Sequence, residues 1–410
     1  MHAIGSKLLL LATICAASIG LSAQSFKLFD RTVQVHGFAS QGFAYSNDNN
    51  YLTMNTSSGS GALTDGGPNL SATLTDKLRV GAQGYVRNIG QLGKGHVDLD
   101  WALADYRFKP WFGVRGGKVK TALGLYNDTQ DTESLFTWAL LPQSMYPLDL
   151  RSNTISHLGG DVYGTVNLGH QIGSVAYTAY YGERSFDPKG GYYYFSQDQG
   201  IPIKSISGRA AGMDVRWSPR LQGLMVGASF MDQTQTRDGM YTMPVPILFG
   251  NPYHFVADPQ RITAAYADYT IGNWHFATEF RRGHYMADIV SPALSFVYRW
   301  DGCNTGWFGS VAYRITKRLE LGTYNSRYYV EFSSVPGSPD ENPDPASHHI
   351  FDQTATARFD INRFWNVKVE GHFIDGYGDI YSAHGFYLRN NSDGLKPKTN
   401  MLVLRTGFNF

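Results

Sequence analysis

The stretch "LVLRTGFNF" (402–410) alternates without a break. Successive side chains of an extended strand point to opposite faces, so Leu402, Leu404, Thr406, Phe408 and Phe410 share one side. Val403, Arg405, Gly407 and Asn409 share the other. One side is greasy and the next carries an arginine, which is the pattern of a strand lying between two different solvents. The stretch "WNVKVEGHF" (365–373) reads the same way. Trp365, Val367, Val369, Gly371 and Phe373 form its apolar face, and Asn366, Lys368, Glu370 and His372 form the polar one.

Working outward, the same unit recurs along the chain: a strand, a very short turn, another strand, then a long polar loop. The short turns are "TDK" (75–77), "KPW" (109–111), "GHQIG" (169–173), "SPRLQ" (218–222), "IGN" (271–273), "TKR" (316–318) and "NRF" (362–364). The long segments are 47–66, 185–207, 235–259, 287–305, 333–349 and 379–397, and a short "NIGQLGKG" (88–95) belongs to the same side. Each turn joins two alternating strands. Counting from "VQVHGFASQGFAYS" (33–46) to the last strand gives sixteen. An even number of antiparallel strands, with short turns on one side and long loops on the other, predicts an all-β transmembrane barrel of the outer-membrane type. Trp111, Trp217, Trp274 and Trp365 all sit beside short turns, as an interfacial aromatic girdle requires. A soluble sandwich would also alternate, but these inward faces are too polar to form its dry core.

Composition narrows the function. Lys7, the apolar run "LLLLATICAASIG" and "LSAQ" read as a signal peptide over 1–23, leaving 24–410 as one barrel domain. Lys7 is the only formal charge in that leader, so the remainder carries 34 basic and 34 acidic side chains. Such neutrality argues against nucleic acid as a partner. Cys303 is then the sole cysteine, read as a loop bystander, and no internal disulfide is available. No HExxH motif, Gly-rich phosphate loop or recognisable Ser/His/Asp signature occurs, so no enzyme, cofactor or metal site is expected. His348 and His349 beside "SPDENPDP" (338–345) read as a solvated external loop, with a divalent ion or lipopolysaccharide contact as the alternative.

One loop does not fit. The segment 123–157 contains "TESLFTWAL", a predicted helix with Asp131 at its start and Pro142 to end it. It also carries Leu135, Phe136, Trp138, Leu140 and Leu141, which an open loop would not leave in water. Side chains alone do not fill a sixteen-stranded lumen, so this loop is expected to fold onto the inner wall and constrict the pore.

The segments "TDKLRVGAQGYVRNIG" (75–90), "VDLDWALADYRF" (97–108), "FGVRGGKVKTALGLYNDTQD" (112–131) and "LLPQSMYP" (140–147) resemble bacterial outer-membrane porins. The likeness is nearest to the phosphate-selective-type and related sixteen-stranded porins, and is firmest over about 70–150 and in the terminal strand. The resemblance implies a homotrimer of barrels, a third loop folded into each pore, and passive diffusion of small hydrophilic solutes. The Pro-Glu-Phe-Gly-Gly motif of general enterobacterial porins is missing. The short "NIGQLGKG" loop cannot latch a neighbouring subunit, so trimer contacts would rest on the wall. Phe410 resembles the terminal aromatic signal read by the barrel assembly machinery.

Alternation places Arg79, Gln83, Tyr85 and Arg87 inward on one strand. It also points Lys118 and Lys120 inward with Val119 outward, leaving Arg115 out of step unless Gly116-Gly117 forms a bulge. Arg358 and Arg405 complete the basic wall, and Asp128, Asp131 and Glu133 are the loop acids expected to oppose it. Opposed charges would set a transverse field across the opening. The expected function is a porin channel for small hydrophilic solutes and ions with weak anion preference. A substrate-specific channel for phosphate, another anion or a sugar is the alternative, followed by an outer-membrane hydrolase or a purely structural barrel.

Overall fold

The computed structural model describes residues 24–28, 31–291, 296–334, 344–378, 386–391 and 393–410. The leader 1–23, with Lys7, and most of the acidic run 338–345 lie outside these residues. Sixteen long strands make the wall. They are β1 (Arg31–Ser46), β2 (Ser60–Thr73), β3 (Leu78–Ile89), β4 (Val97–Lys109), β5 (Phe112–Lys120), β6 (Ser156–Asn167), β7 (Ser174–Arg184) and β8 (Arg209–Ser218). Then follow β9 (Leu224–Met240), β10 (Pro252–Ile271), β11 (Trp274–Ser291), β12 (Phe296–Arg314), β13 (Leu319–Ser334), β14 (His349–Asn362), β15 (Trp365–Asp375) and β16 (Lys398–Asn409). Two short strands, Gln24–Leu28 and Ile203–Ser207, add to β1 and β9.

Neighbours in sequence pair antiparallel around the sheet, and β16 closes it on β1. In that last pairing Leu404 lies opposite Phe43 and Arg405 opposite Gly42. Phe410 extends it, because its N–H donates to Gly37 at 3.0 Å and its carbonyl accepts from Gly37 at 3.2 Å. Closure leaves the long strands without free edges, as a lipid environment demands.

The short turns form from local chemistry. Thr75 and Thr316 each accept two backbone N–H groups through their hydroxyls, and Asn362 accepts those of Phe364 and Trp365. Gly272 takes φ +57° in the two-residue turn between Ile271 and Trp274, a conformation glycine adopts cheaply. On the outer face Leu70, Val97, Leu99, Phe359, Val369, Phe373, Leu402 and Leu404 are exposed, as are Trp111, Trp217 and Trp274 beside the turns. Among the described residues no helix is long and apolar enough to cross a membrane.

Two expectations about the loops need correction. Much of 235–259 and 287–305 is strand, because β9 runs on to Met240, β10 starts at Pro252, β11 reaches Ser291 and β12 begins at Phe296. Cys303 accordingly lies in β12 and not in a loop. These extensions carry polar groups on both faces, so apolar alternation does not mark them. Backbone ladders hold them, helped by pairs such as His254 with Asp238 at 2.6 Å and Arg299 with Asp288 at 2.7 Å. Elsewhere on the long-loop side, α1 (Gly191–Asp198) and α2 (Phe386–Asn390) are short helices. Tyr51, Leu52 and Met54 join Tyr387, Leu63, Ile89, Leu140 and Val403 in an apolar cluster inside that end of the barrel.

Candidate functional site

The segment between β5 and β6 runs through the lumen and bonds to inward side chains around most of the wall. It leaves β5 at Lys120, and its first residues meet β9 and β11. Gly124 N–H donates to Ser229 at 2.8 Å and Leu125 N–H to Glu279 at 3.0 Å. Tyr126 stacks on Phe308 of β12. The middle crosses to the far wall. There Glu370 of β15 accepts the N–H groups of Ala139 (3.0 Å) and Leu140 (2.8 Å), and Lys368 donates to the carbonyls of Glu133 (2.8 Å) and Trp138 (3.0 Å). Arg358 donates to the Phe136 carbonyl and Arg405 to that of Ala139, both at 2.8 Å. Thr137 hydrogen-bonds Glu320. The return limb gives Met145, whose carbonyl accepts from Arg281, and Arg151, which pairs with Asp100 of β4 at 2.9 Å.

These contacts explain why the predicted helix over "TESLFTWAL" does not form. Only Glu133–Leu135 makes a 3₁₀ turn. The carbonyls of Glu133, Phe136, Trp138 and Ala139 and the amides of Ala139 and Leu140 are taken by wall side chains, so a continuous intrahelical ladder cannot form across this stretch. Asp131 caps nothing. Its carboxylate accepts from Gln83 at 2.5 Å and from Lys120 at 2.7 Å. Burial pushes that carboxyl up, but the charges of Lys120 and Arg151 and the two hydrogen bonds outweigh it and hold it below its usual range. Trp138 and Leu140 are buried as an apolar loop segment should be, while Leu135 stays exposed.

The acids and bases are in contact here and not opposed across a gap. Glu133 is ion-paired with Lys368, Asp131 with Lys120, and Arg405 with Asp65 at 2.7 Å. Asp128 lies 3.5 Å from Arg216, and its carbonyl accepts from Lys120. Arg87 pairs with Asp98 and Asp187, and Arg358 with Asp360. Arg79 stands apart from the loop, bonded to Ser71.

On β5 the alternation is the reverse of the expected one. Arg115 pairs with Asp161 at 2.8 Å on the inner face, and Val119 is fully buried opposite His157. No register shift occurs at Gly116-Gly117, although Gly117 takes φ +127°; the break lies in the β3–β4 pairing, where the step from Gln83 to Gly84 skips Asp100. Lys118 therefore falls on the face of exposed Leu158, and its ammonium turns to the Leu99 carbonyl instead of the constriction. Lys120, the last residue of β5, reaches the loop because the strand ends there.

Sequence reasoning missed Lys368, Glu370, Glu279, Arg281 and Arg151 as loop anchors, and Asp65 as the partner of Arg405. The signal for two of them is present in "WNVKVEGHF", which puts Lys368, Glu370 and His372 on one inward face. All three are 1% exposed or less. His372 bridges Asp352 at 2.9 Å and Glu370 at 3.1 Å, so the buried charges are matched.

No family model matches the chain, and no curated protein matches it in sequence. Solved structures do match in shape. The anion-selective porin from Comamonas acidovorans superposes with TM-score 0.55 at 12% identity, covering 93% of this chain and 100% of that one. The fold is that of the bacterial porins. The outer membrane channel DcaP of Acinetobacter baumannii gives TM-score 0.55 at 11% identity over 95% of this chain and all of its own. OmpT of Vibrio cholerae, an outer membrane protein, gives 0.55 at 12% identity over 94% and 100%, and has also been solved in a trimer form. At these identities the likeness concerns the fold.

Proposed function

We propose that this chain is a porin: a water-filled channel across a bacterial outer membrane that passes small hydrophilic solutes and ions. One observation carries the reading. A closed sixteen-stranded barrel with an apolar outer belt holds a hydrogen-bonded loop inside its lumen, fixed to the wall by Lys368, Glu370, Arg358 and Arg405. A loop tied down on so many sides is a fixed constriction. Weak anion preference follows from charge. The acids Asp131 and Glu133 are neutralised by Lys120 and Lys368. Arg79, Arg184 and Arg237, on inward positions of β3, β7 and β9, have no carboxylate ion-pair partner among the described residues.

On this reading the protein is no enzyme and needs no cofactor. It is exported by its leader, inserted with Phe410 as part of the assembly signal, surrounded by lipopolysaccharide, and assembled as a homotrimer through the barrel wall. The test is the zero-current potential of the purified protein in a planar bilayer under a KCl gradient at low ionic strength. The expected sign is that of chloride preference, fading at high salt as screening grows. Potassium preference refutes the selectivity, and a bilayer that stays silent refutes the channel.

A further inference from the structure

Outside the constriction, the arginines of β7 and β9 stand in an unusual setting. Arg184 and Arg237 meet through neutral groups. Arg184 Nη1 donates to Gln235 Oε1 at 3.0 Å, and Gln235 contacts the Tyr192 hydroxyl. That hydroxyl also accepts from Arg237 Nη1 at 3.2 Å, and Arg237 donates to Ser196 at 3.1 Å. Tyr192 and Ser196 belong to α1, which covers the pair from the long-loop side. Arg237 packs on Phe255 at 4.1 Å and Arg184 on Phe186 at 4.8 Å.

The charged groups that anchor the constriction loop are ion-paired, but these two arginines, away from that loop, are not. Among the described residues neither arginine has a carboxylate ion-pair partner. Among the described residues the Nε–H of each is buried without a hydrogen-bond acceptor, and Arg237 is only 5% exposed. Buried guanidinium groups are ordinarily satisfied, and Nε with its neighbouring Nη is the edge that grips a planar carboxylate bidentately. Two such edges, each with its aromatic neighbour, make a receptor for an anion.

We propose that Arg184 and Arg237 form a binding station on the long-loop side of the lumen for the carboxylate of a small organic solute, with Gln235 and Tyr192 completing the cradle and α1 as its cover. The proposal rests on the channel reading above and deepens it. It replaces general anion preference by a defined stop at which α1 shifts to admit the carboxylate and the two guanidiniums share its charge. A bidentate station of moderate strength suits a channel, because a solute must bind well enough to enter and weakly enough to leave.

The experiment measures chloride current through single channels of the purified full-length protein while sodium benzoate is added on the long-loop side, with benzamide as the neutral control of equal shape. Millimolar benzoate should interrupt the current and benzamide should not. The concentration for half-block should rise about tenfold in Arg184→Gln and in Arg237→Gln. Arg237→Lys, which keeps the charge but loses the fork, should also raise it severalfold. A heat-modifiable gel shift checks that each variant is folded, and quenching of tyrosine fluorescence by benzoate gives a second reading of binding. Absence of any channel steps in the wild type overturns the channel reading. Normal steps with no benzoate block, equal block by benzamide, or unchanged half-block in folded variants overturns the station alone.

Discussion

Replacing Glu370 by alanine should free the middle of the lumen loop. In the native protein this carboxylate is fully buried and takes four contacts: the amides of Ala139 and Leu140, the Thr356 hydroxyl at 2.6 Å, and His372 at 3.1 Å. Removing it leaves two loop amides without acceptors, at roughly 1–3 kcal/mol each when they stay buried. It also strips His372 of one of two carboxylates, and breaking a buried charged pair costs about 3–5 kcal/mol. These terms overlap, because the loop can move to rehydrate its amides, so about 3–5 kcal/mol is the combined expectation. That is a change of roughly two to four orders of magnitude in the ratio of seated to unseated loop. Glu370→Gln keeps one carbonyl acceptor and should cost about half as much. The assay is twofold: chymotrypsin cleavage near Trp138 and Tyr146 in folded protein, and single-channel current noise. Faster cleavage and a larger, noisier conductance are expected in the order alanine, glutamine, wild type. An alanine variant with wild-type cleavage rate and quiet current would show that Glu370 does not hold the loop.

Other outcomes follow from the same geometry. Leu404→Arg, on the exposed outer face, should cost on the order of 2–4 kcal/mol of folding stability in lipid if the site lies near the bilayer midplane, read from urea unfolding in vesicles. Deleting Phe410 removes the two backbone bonds to Gly37 that extend β16 on β1, and should slow acquisition of the heat-modifiable form in cells. Asp149, buried in the loop with no ion-pair partner among the described residues, has its carboxyl pushed up to about 7 by burial, against the smaller opposing effect of nearby backbone N–H groups. A raised carboxyl favours the seated, protonated state, so that stability is present at low pH and is lost as pH rises from about 4 to about 7, by up to a few kcal/mol in order of magnitude. Protease cleavage around 147–155 should therefore quicken between about pH 4 and about pH 7 and level off above it, and Asp149→Asn should remove the difference. Lys118→Gln should leave the reversal potential unchanged, since Lys118 faces Leu158 and bonds the Leu99 carbonyl.

The barrel was legible because its rule is simple. Any strand between lipid and water must alternate, and "LVLRTGFNF" and "WNVKVEGHF" show it with few exceptions. Where that rule lapses, legibility goes too. The extensions of β9 to β12 mix polar and apolar residues on each face, with Tyr253, Phe255, Ala257 and Ala287 buried beside Gln235 and Arg237, so 235–259 and 287–305 read as loop. On β5, Arg115 and Lys118 have opposite parity and only one could face inward; the choice is made by Asp161 and His157 on the neighbouring strand, far away in sequence. The lumen loop showed its place through Trp138 and Leu140, but not its conformation. Its backbone is held by Lys368, Glu370, Arg358 and Arg405, from residues more than 200 positions downstream, which local helix signals cannot anticipate.

The most direct test of the central claim is single-channel recording of the purified, heat-modifiable protein in a planar lipid bilayer with KCl on both sides. A sixteen-stranded barrel constricted by a fixed loop predicts discrete, long-lived steps whose size rises with KCl concentration. Folded protein that inserts into the bilayer and carries no stepwise current would contradict the account.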